Sequence, residues 1–168
     1  MDSIEERHEF GAISHIRPES IGEPGNRTFY ITVKSERSSA CLWLEKEQLY
    51  QLGIYMKELI LSLPINPKDY PTGISNSDPE TLEFKVGKLS LNADPRTATI
   101  HFSVHDINKL DETHPTLTFW LTPEQTKALA DESLSVCASG RPTCPLCGQS
   151  INYYGHNCPK ANGHISLQ

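Results

Sequence analysis

The sequence predicts an α+β fold of two similar β-β-β-α units with mainly antiparallel sheet, and three observations predict it. Trp43-Leu44, followed two residues later by Glu47-Gln48, recurs as Trp120-Leu121 followed two residues later by Glu124-Gln125. Ahead of each copy, apolar and β-branched residues alternate with polar ones, the period of a half-buried strand. Behind each copy, apolar residues return every three or four positions, the period of a helix packed on one face. The units are expected at residues 1–63 and 82–140, joined by a linker at 64–81 and followed by a tail at 141–168.

In the first unit, His8 to Ile16 reads as a strand and Gly22-Glu23-Pro24-Gly25 as a turn. Thr28 to Val33 is β-branched and aromatic, hence a strand. Lys34 to Ser39 is a polar turn, and Ala40 to Leu44 a third strand. A helix follows over Lys46–Ser62, because Leu49, Leu52, Met56, Leu59 and Leu63 share one face, and Pro64 ends it.

The second unit repeats that order. Leu82 to Leu91 alternates as a strand, and Asn92-Ala93-Asp94-Pro95-Arg96 is a turn. Ala98 to Val104 is a strand with Ile100, Phe102 and Val104 on one face and His101, Ser103 and His105 on the other. Thr116 to Leu121 is the third strand. The helix over Pro123 to Ala138 has clear signals: Thr122 can cap it, Pro123 suits its first position, Gln125 completes a capping box, and Gly140 stops it. The linker carries Pro64, Pro67, Pro71 and Gly73 among Asn, Ser and Asp, and is expected to be irregular and on the surface. A groove between the two units is the expected place for a ligand, by analogy with other two-halved folds.

The chain has 168 residues, with a hydrophobic share of 37% and a charged share of 21%, which fit an ordinary domain with a real core. Its formal charge of −6 disfavours bulk electrostatic binding to nucleic acid or anionic membrane, since phosphate binding needs clustered Lys and Arg. No apolar run reaches the roughly 20 residues of a membrane span, and the start MDSIEERHEF has no secretory apolar core. A cytoplasmic location is expected. The five cysteines agree, because they are odd in number and three crowd together late in the chain, unlike a secreted disulfide framework. The other two, Cys41 and Cys137, are expected to be small buried hydrophobes.

The tail holds the clearest chemistry. Cys144-Pro145-Leu146-Cys147-Gly148 has the shape of a zinc knuckle, in which two thiolates face one ion and the glycine lets the chain turn beneath it. A lone Cys-x-x-Cys could equally be a redox dithiol. His156-Asn157-Cys158 supplies a third and a fourth ligand, and Cys144, Cys147, His156 and Cys158 together suit tetrahedral Zn²⁺. With four protein ligands the ion has no open position, so it is structural, and the apolar-poor tail depends on it to fold. His156 stands close to Cys158, which demands a tight bend, and His164 is its substitute. If neither histidine binds, the fourth position opens, and a catalytic zinc becomes the alternative.

The run Gly140-Arg141-Pro142-x-Cys144-Pro145-Leu146-Cys147-Gly148, then Gly155-His156-x-Cys158-Pro159-x-x-Asn162-Gly163, resembles the C-terminal signature of the bacterial domain-of-unknown-function family 3090. The early Gly22-Glu23-Pro24-Gly25-x-Arg27-Thr28-Phe29 resembles its N-terminal signature, and the order of parts matches over almost the whole chain. The resemblance implies no reaction. Members tend to be encoded beside a histidine-phosphatase-like and a kinase-like protein, which implies a phosphate-related pathway by association. The polar N-terminus and the middle linker are longer here than in the family.

The remaining candidates are weaker. Gly22 to Arg27 reads first as a tight hairpin turn of type II and second as an anion-binding nest with Arg27 as its charge. His101 and His105 share a strand face and could form a metal or acid–base pair, although half-exposed strand positions are commoner. Glu47 and Glu124 suit the positive ends of their helices. The leading expectation is a non-enzymatic interaction or adaptor module with a structural zinc and a protein partner. The alternative is an enzyme or binder of a phosphorylated small molecule that uses Arg27, Arg141 and Asn162, with His101 or His105, in the groove between the units. A nucleic-acid binder acting through the knuckle comes third, disfavoured by the acidic charge.

Overall fold

The computed structural model describes residues 7–69, 78–139 and 146–147. Their elements in order are β1 (His8–Ala12), β2 (His15–Ile21), β3 (Thr28–Lys34), β4 (Ser39–Leu44), α1 (Lys46–Leu61), β5 (Thr81–Asp94), β6 (Thr99–Asp106), β7 (Leu117–Leu121) and α2 (Pro123–Ser139), with one 3₁₀ turn at Ile107–Lys109. The chain is therefore mixed α+β: one seven-stranded sheet, mostly antiparallel, and two helices.

The sheet runs β1-β7-β6-β5-β4-β3-β2. A flat sheet of that order would part its two edges by about 29 Å, six steps of ~4.8 Å. Yet β1 ends at Ala12 and β2, on the opposite edge, begins at His15. Three residue steps span at most about 11 Å, so the sheet must curl until its edges meet. Two strands make the corners by changing partners part-way along. β1 pairs parallel with β7, and after Ile13 and Ser14 the chain continues as β2 against β3. β5 does the same: Thr81 to Lys85 pairs parallel with β4, and Val86 to Asp94 pairs antiparallel with β6. Register shifts lie between Glu9 and Gly11 (φ +66°), within the β1–β7 pairing, and between Val86 and Lys88, where β5 changes partner. At the second, a Cβ on Gly87 would stand 2.8 Å from the backbone Cα of Ile107, which explains the glycine.

The register is the same in both halves. Phe29 faces Leu44 and Tyr30 faces Trp43 across β3 and β4, while Ile100 faces Leu121 and His101 faces Trp120 across β6 and β7. Trp43 lies beside Lys85 of the parallel strand, and Trp120 beside Ala12. The repeated glutamines follow suit. The Gln48 side-chain carbonyl accepts from Glu45 N at 2.8 Å, and its amide donates to Val86 O at 3.2 Å. The Gln125 carbonyl accepts from Thr122 N at 3.0 Å, and its amide donates to Ile13 O at 2.6 Å. Each glutamine thus closes a helix start and ties it to the parallel strand one residue past the tryptophan's neighbour.

Alternation supplies the core. Phe29, Ile31 and Val33 of β3, Ala40, Leu42 and Leu44 of β4, Ile100, Phe102 and Val104 of β6, and Leu117, Phe119 and Leu121 of β7 are all buried on one face. Each large side chain among them contributes about 1.5–3 kcal/mol by leaving water. The helices add Leu49, Leu52, Met56 and Leu129 to the same cluster. They run antiparallel against each other: Cys137 Sγ reaches Lys46 O at 3.7 Å, and Lys57 pairs with Asp131 at 2.9 Å. Close approach is possible because Gly53 and Ala130 are small; a Cβ on Gly53 would meet Leu134 at 3.0 Å.

Three sequence expectations change. The single strand over His8 to Ile16 is two strands on opposite edges, because the chain corners at Ile13 and Ser14. The turn expected at Asn92 to Arg96 starts later. Pairing of Asn92, Ala93 and Asp94 with His101, Ile100 and Thr99 carries β5 through these turn-prone residues, and the bend falls before Ala98, whose φ is +53°. Cys41 lies half-buried on the outer face rather than in the core, since Ala40 and Leu42 take the inward positions. Helix α1 ends as expected, at Leu61 with Ser62 as its C-cap, and Ser62 Oγ donates to Leu59 O at 2.6 Å. Of the linker, residues 64–69 and 78–80 are described and irregular, and Asp69 N is held by Arg96 O at 2.9 Å.

Candidate functional site

The turn between β2 and β3 is built around Pro24-Gly25. Asn26 N donates to Glu23 O at 2.9 Å, and Gly25 takes φ +86°, as a type II turn requires of its third residue. Gly22 has φ +109°, and a Cβ there would lie 2.7 Å from Asn26 O. This folds Arg27 back over the hairpin, where its Nη1 donates to Ser20 Oγ at 3.4 Å and to Ser139 Oγ at 3.3 Å. Its Nε is buried without an acceptor. Ser139 is the last residue of α2, so Arg27 sits at the helix end where a cation is favourable, and it holds the point from which the tail leaves.

Of the expected metal ligands, Cys147 is described: it lies half-buried in a turn with Leu146. Cys144, His156, Cys158 and the substitute His164 lie outside the described residues, as do Arg141, Asn162 and Gly140. Among the described residues, no group of three His, Cys, Asp or Glu side chains is arranged to hold a metal.

A cleft of about 450 Å³ opens between α1 with the end of β4 and β5. Leu44 and the α1 residues Gln48, Gln51, Leu52 and Tyr55 form one wall, and Leu89 and Leu91 of β5 form the other. Arg27 is not among its lining residues. The wall offers apolar surface, two amides and one phenol. Among the described residues its lining holds no carboxylate, imidazole, thiol or amine, and so no acid–base pair or activated nucleophile. On the other side of the molecule α2 packs directly on β2.

The strand histidines do not converge. His101 and His105 share a face as alternation requires, but four strand steps put them about 13 Å apart, too far to share an ion. His101 Nε2 lies 3.0 Å from Thr99 Oγ1. Burial lowers the His105 pKa below the ordinary histidine value, helped by the charges of Lys88 and His114. On the outer face of the sheet, Trp43 Nε1 donates to Glu83 at 2.9 Å, Tyr30 stacks at a tilt on Trp43 at 5.0 Å, and Tyr30 donates to Glu19. Burial raises the Cys41 thiol pKa, and Glu83 and Glu19 raise it further, so this cysteine is a poor nucleophile.

The cleft was not foreseen residue by residue, although a signal exists. In the shared register, α1 carries Tyr50, Ile54 and Tyr55 where α2 carries Lys127, Asp131 and Glu132. The outer face of α2 is therefore polar, while that of α1 leaves Tyr50, Ile54 and Tyr55 exposed.

Among the described residues these features define a class: a small α+β protein with a curled seven-stranded sheet, two antiparallel helices and an apolar cleft. Within that class the chain belongs to the family described as "Protein of unknown function (DUF3090)", whose model matches residues 8–158. No curated protein and no solved structure matches the chain. No helix among the described residues is long and apolar enough to cross a membrane.

Proposed function

We propose that the chain is a non-enzymatic binding module whose tail is organised by a structural zinc held by Cys144, Cys147, His156 and Cys158. The observation that carries the binding reading is the lining of the cleft, which offers surface and hydrogen bonds and, among the described residues, no group that could run a reaction. The zinc reading rests on the ligand spacing, and the half-buried position of Cys147 is compatible with it. The two halves are read as copies of one β-β-β-α unit, supported by the matching register and the matching glutamine ties. A cytoplasmic location is proposed with it.

Replacing zinc by Co²⁺ tests the ligand set. Tetrahedral coordination by three thiolates and one imidazole gives intense visible d–d bands and a thiolate charge-transfer band. The bands should appear in the parent and vanish in Cys144→Ser. A colourless, octahedral spectrum in the parent would defeat the proposal, and unchanged bands in His156→Ala would pass the fourth position to His164.

One observation favours a second reading, a binder of a phosphorylated small molecule. Arg27 has a buried Nε without an acceptor, and its contact to Ser139 brings the chain to within two residues of Arg141. In this reading Arg141 and Asn162 complete the anion site. Saturable binding of inorganic phosphate, weakened at least tenfold in Arg27→Gln, would support it; the same weak binding in both proteins would remove it.

A further inference from the structure

The two halves share one register, yet one side of the molecule is closed and the other open. On the closed side α2 lies on β2. On the open side the same helix position and the same strand position enclose a cleft. The side chains account for the difference. Ala128 and Glu132 of α2 correspond to Gln51 and Tyr55 of α1, and Pro18 of β2 corresponds to Leu91 of β5. A small alanine and a compact proline let α2 settle. A glutamine, a tyrosine and a leucine hold α1 away from β5. The fold thus closes without an opening, and the opening is a property of these particular residues.

We propose that this cleft is the binding site for an uncharged, mainly apolar small molecule with one hydrogen-bonding end. Leu44, Leu52, Leu89 and Leu91 supply apolar walls from both halves. A volume of about 450 Å³ falls within the range of small-molecule sites. Among the described residues nothing charged lines it, so a charged ligand would lose its hydration without compensation there. The polar end meets Tyr55 and Gln51, which stand together on one turn of α1 at the mouth. The Gln51 amide nitrogen is held by Glu47 at 3.2 Å, which leaves its carbonyl oxygen to accept from a ligand, while the Tyr55 hydroxyl can donate or accept. The Gln48 amide is already committed to Glu45 N and Val86 O and serves as wall. The inference rests on the reading of the chain as a binding module and is independent of its zinc.

The test titrates the full chain with the uncharged fluorophore N-phenyl-1-naphthylamine, and in parallel with the anionic 1-anilinonaphthalene-8-sulfonate. The parent should bind the uncharged probe saturably, one per chain, and at least tenfold more tightly than the anionic one. Tyr55→Glu places on α1 the residue that α2 carries, at a position exposed enough (45%) to spare the core. It should weaken binding at least tenfold at an unchanged melting temperature, while Glu132→Tyr on α2 should leave binding as in the parent. No saturable binding, equal affinity for the two probes, or unchanged binding in Tyr55→Glu would each overturn the proposal. So would a dimer that depends on Tyr55 and forms without probe binding, which would assign the cleft to a second copy of the chain. A parent that carries no zinc yet binds the probe would sink the zinc proposal alone.

Discussion

Gln48 and Gln125 make the same pair of ties in the two halves: each accepts from the N-cap backbone of its helix and donates to a carbonyl of the parallel neighbouring strand. Those strands, β5 and the β1–β2 run, are the ones that turn the corners of the sheet. The glutamine of the repeated Trp-Leu-x-x-Glu-Gln sequence therefore does not merely start a helix. It fixes where the helix sits on the curled sheet.

Gln48→Ala and Gln125→Ala should each cost about 1–2 kcal/mol, the sum expected for a lost cap bond and an unpaired strand carbonyl. Urea unfolding measures both. Costs that are close to equal would match the shared geometry; a cost confined to one half would show that the two ties are not equivalent.

Gly87→Ala should destabilise by about 1–3 kcal/mol, because its Cβ would press on the Ile107 backbone where β5 changes partner. Gly25→Ala meets no neighbour and should cost only the conformational strain of its positive φ, about 1–2 kcal/mol. Unfolding midpoints at matched slope compare them. The Gly87 variant should also disturb the amide signals of Ile107 and Leu110, which the Gly25 variant leaves alone.

His105 should make stability depend on pH. Burial holds its folded pKa below the ordinary value, with Lys88 and His114 acting in the same direction. The unfolded chain then binds the proton more readily, so this contribution is present above about pH 6.5 and is lost as pH falls from there toward the folded value. His105→Gln should flatten the stability profile between pH 7 and 5. A profile as steep as that of the parent would rule out His105 as the source.

Arg27→Ala should loosen the junction between α2 and the tail more than it loosens the fold. The lost bonds to Ser20 and Ser139 are long, and about 1 kcal/mol of stability is at stake. Limited proteolysis should cut faster just after Ser139, with the helices and sheet protected as before. Unchanged cleavage there would mean that Arg27 does not hold the junction.

Much of the fold was legible. Period-two runs marked β3, β4, β6 and β7, and Thr122-Pro123 with Gln125 marked the start of α2, because local patterning and capping are set by near neighbours. The corners were not. Ile13-Ser14 and Gly87 look like ordinary strand residues, and only pairing with distant strands shows that the chain changes partners there. The outer-face position of Cys41 follows from its strand parity, which outweighs the usual burial of its residue type. Arg27 was singled out from its turn, but its contact with Ser139 joins residues far apart in sequence. The cleft follows from the difference between Gln51, Tyr55 and Leu91 and their counterparts Ala128, Glu132 and Pro18, visible only once the two runs are superposed by register.

The zinc remains the centre of the functional proposal, and native mass spectrometry of the full chain tests it most directly. The parent should carry one zinc ion per chain, and Cys144→Ser, Cys147→Ser and Cys158→Ser should carry none while the curled sheet stays folded. A parent without zinc, or cysteine variants that keep a full complement, would contradict it.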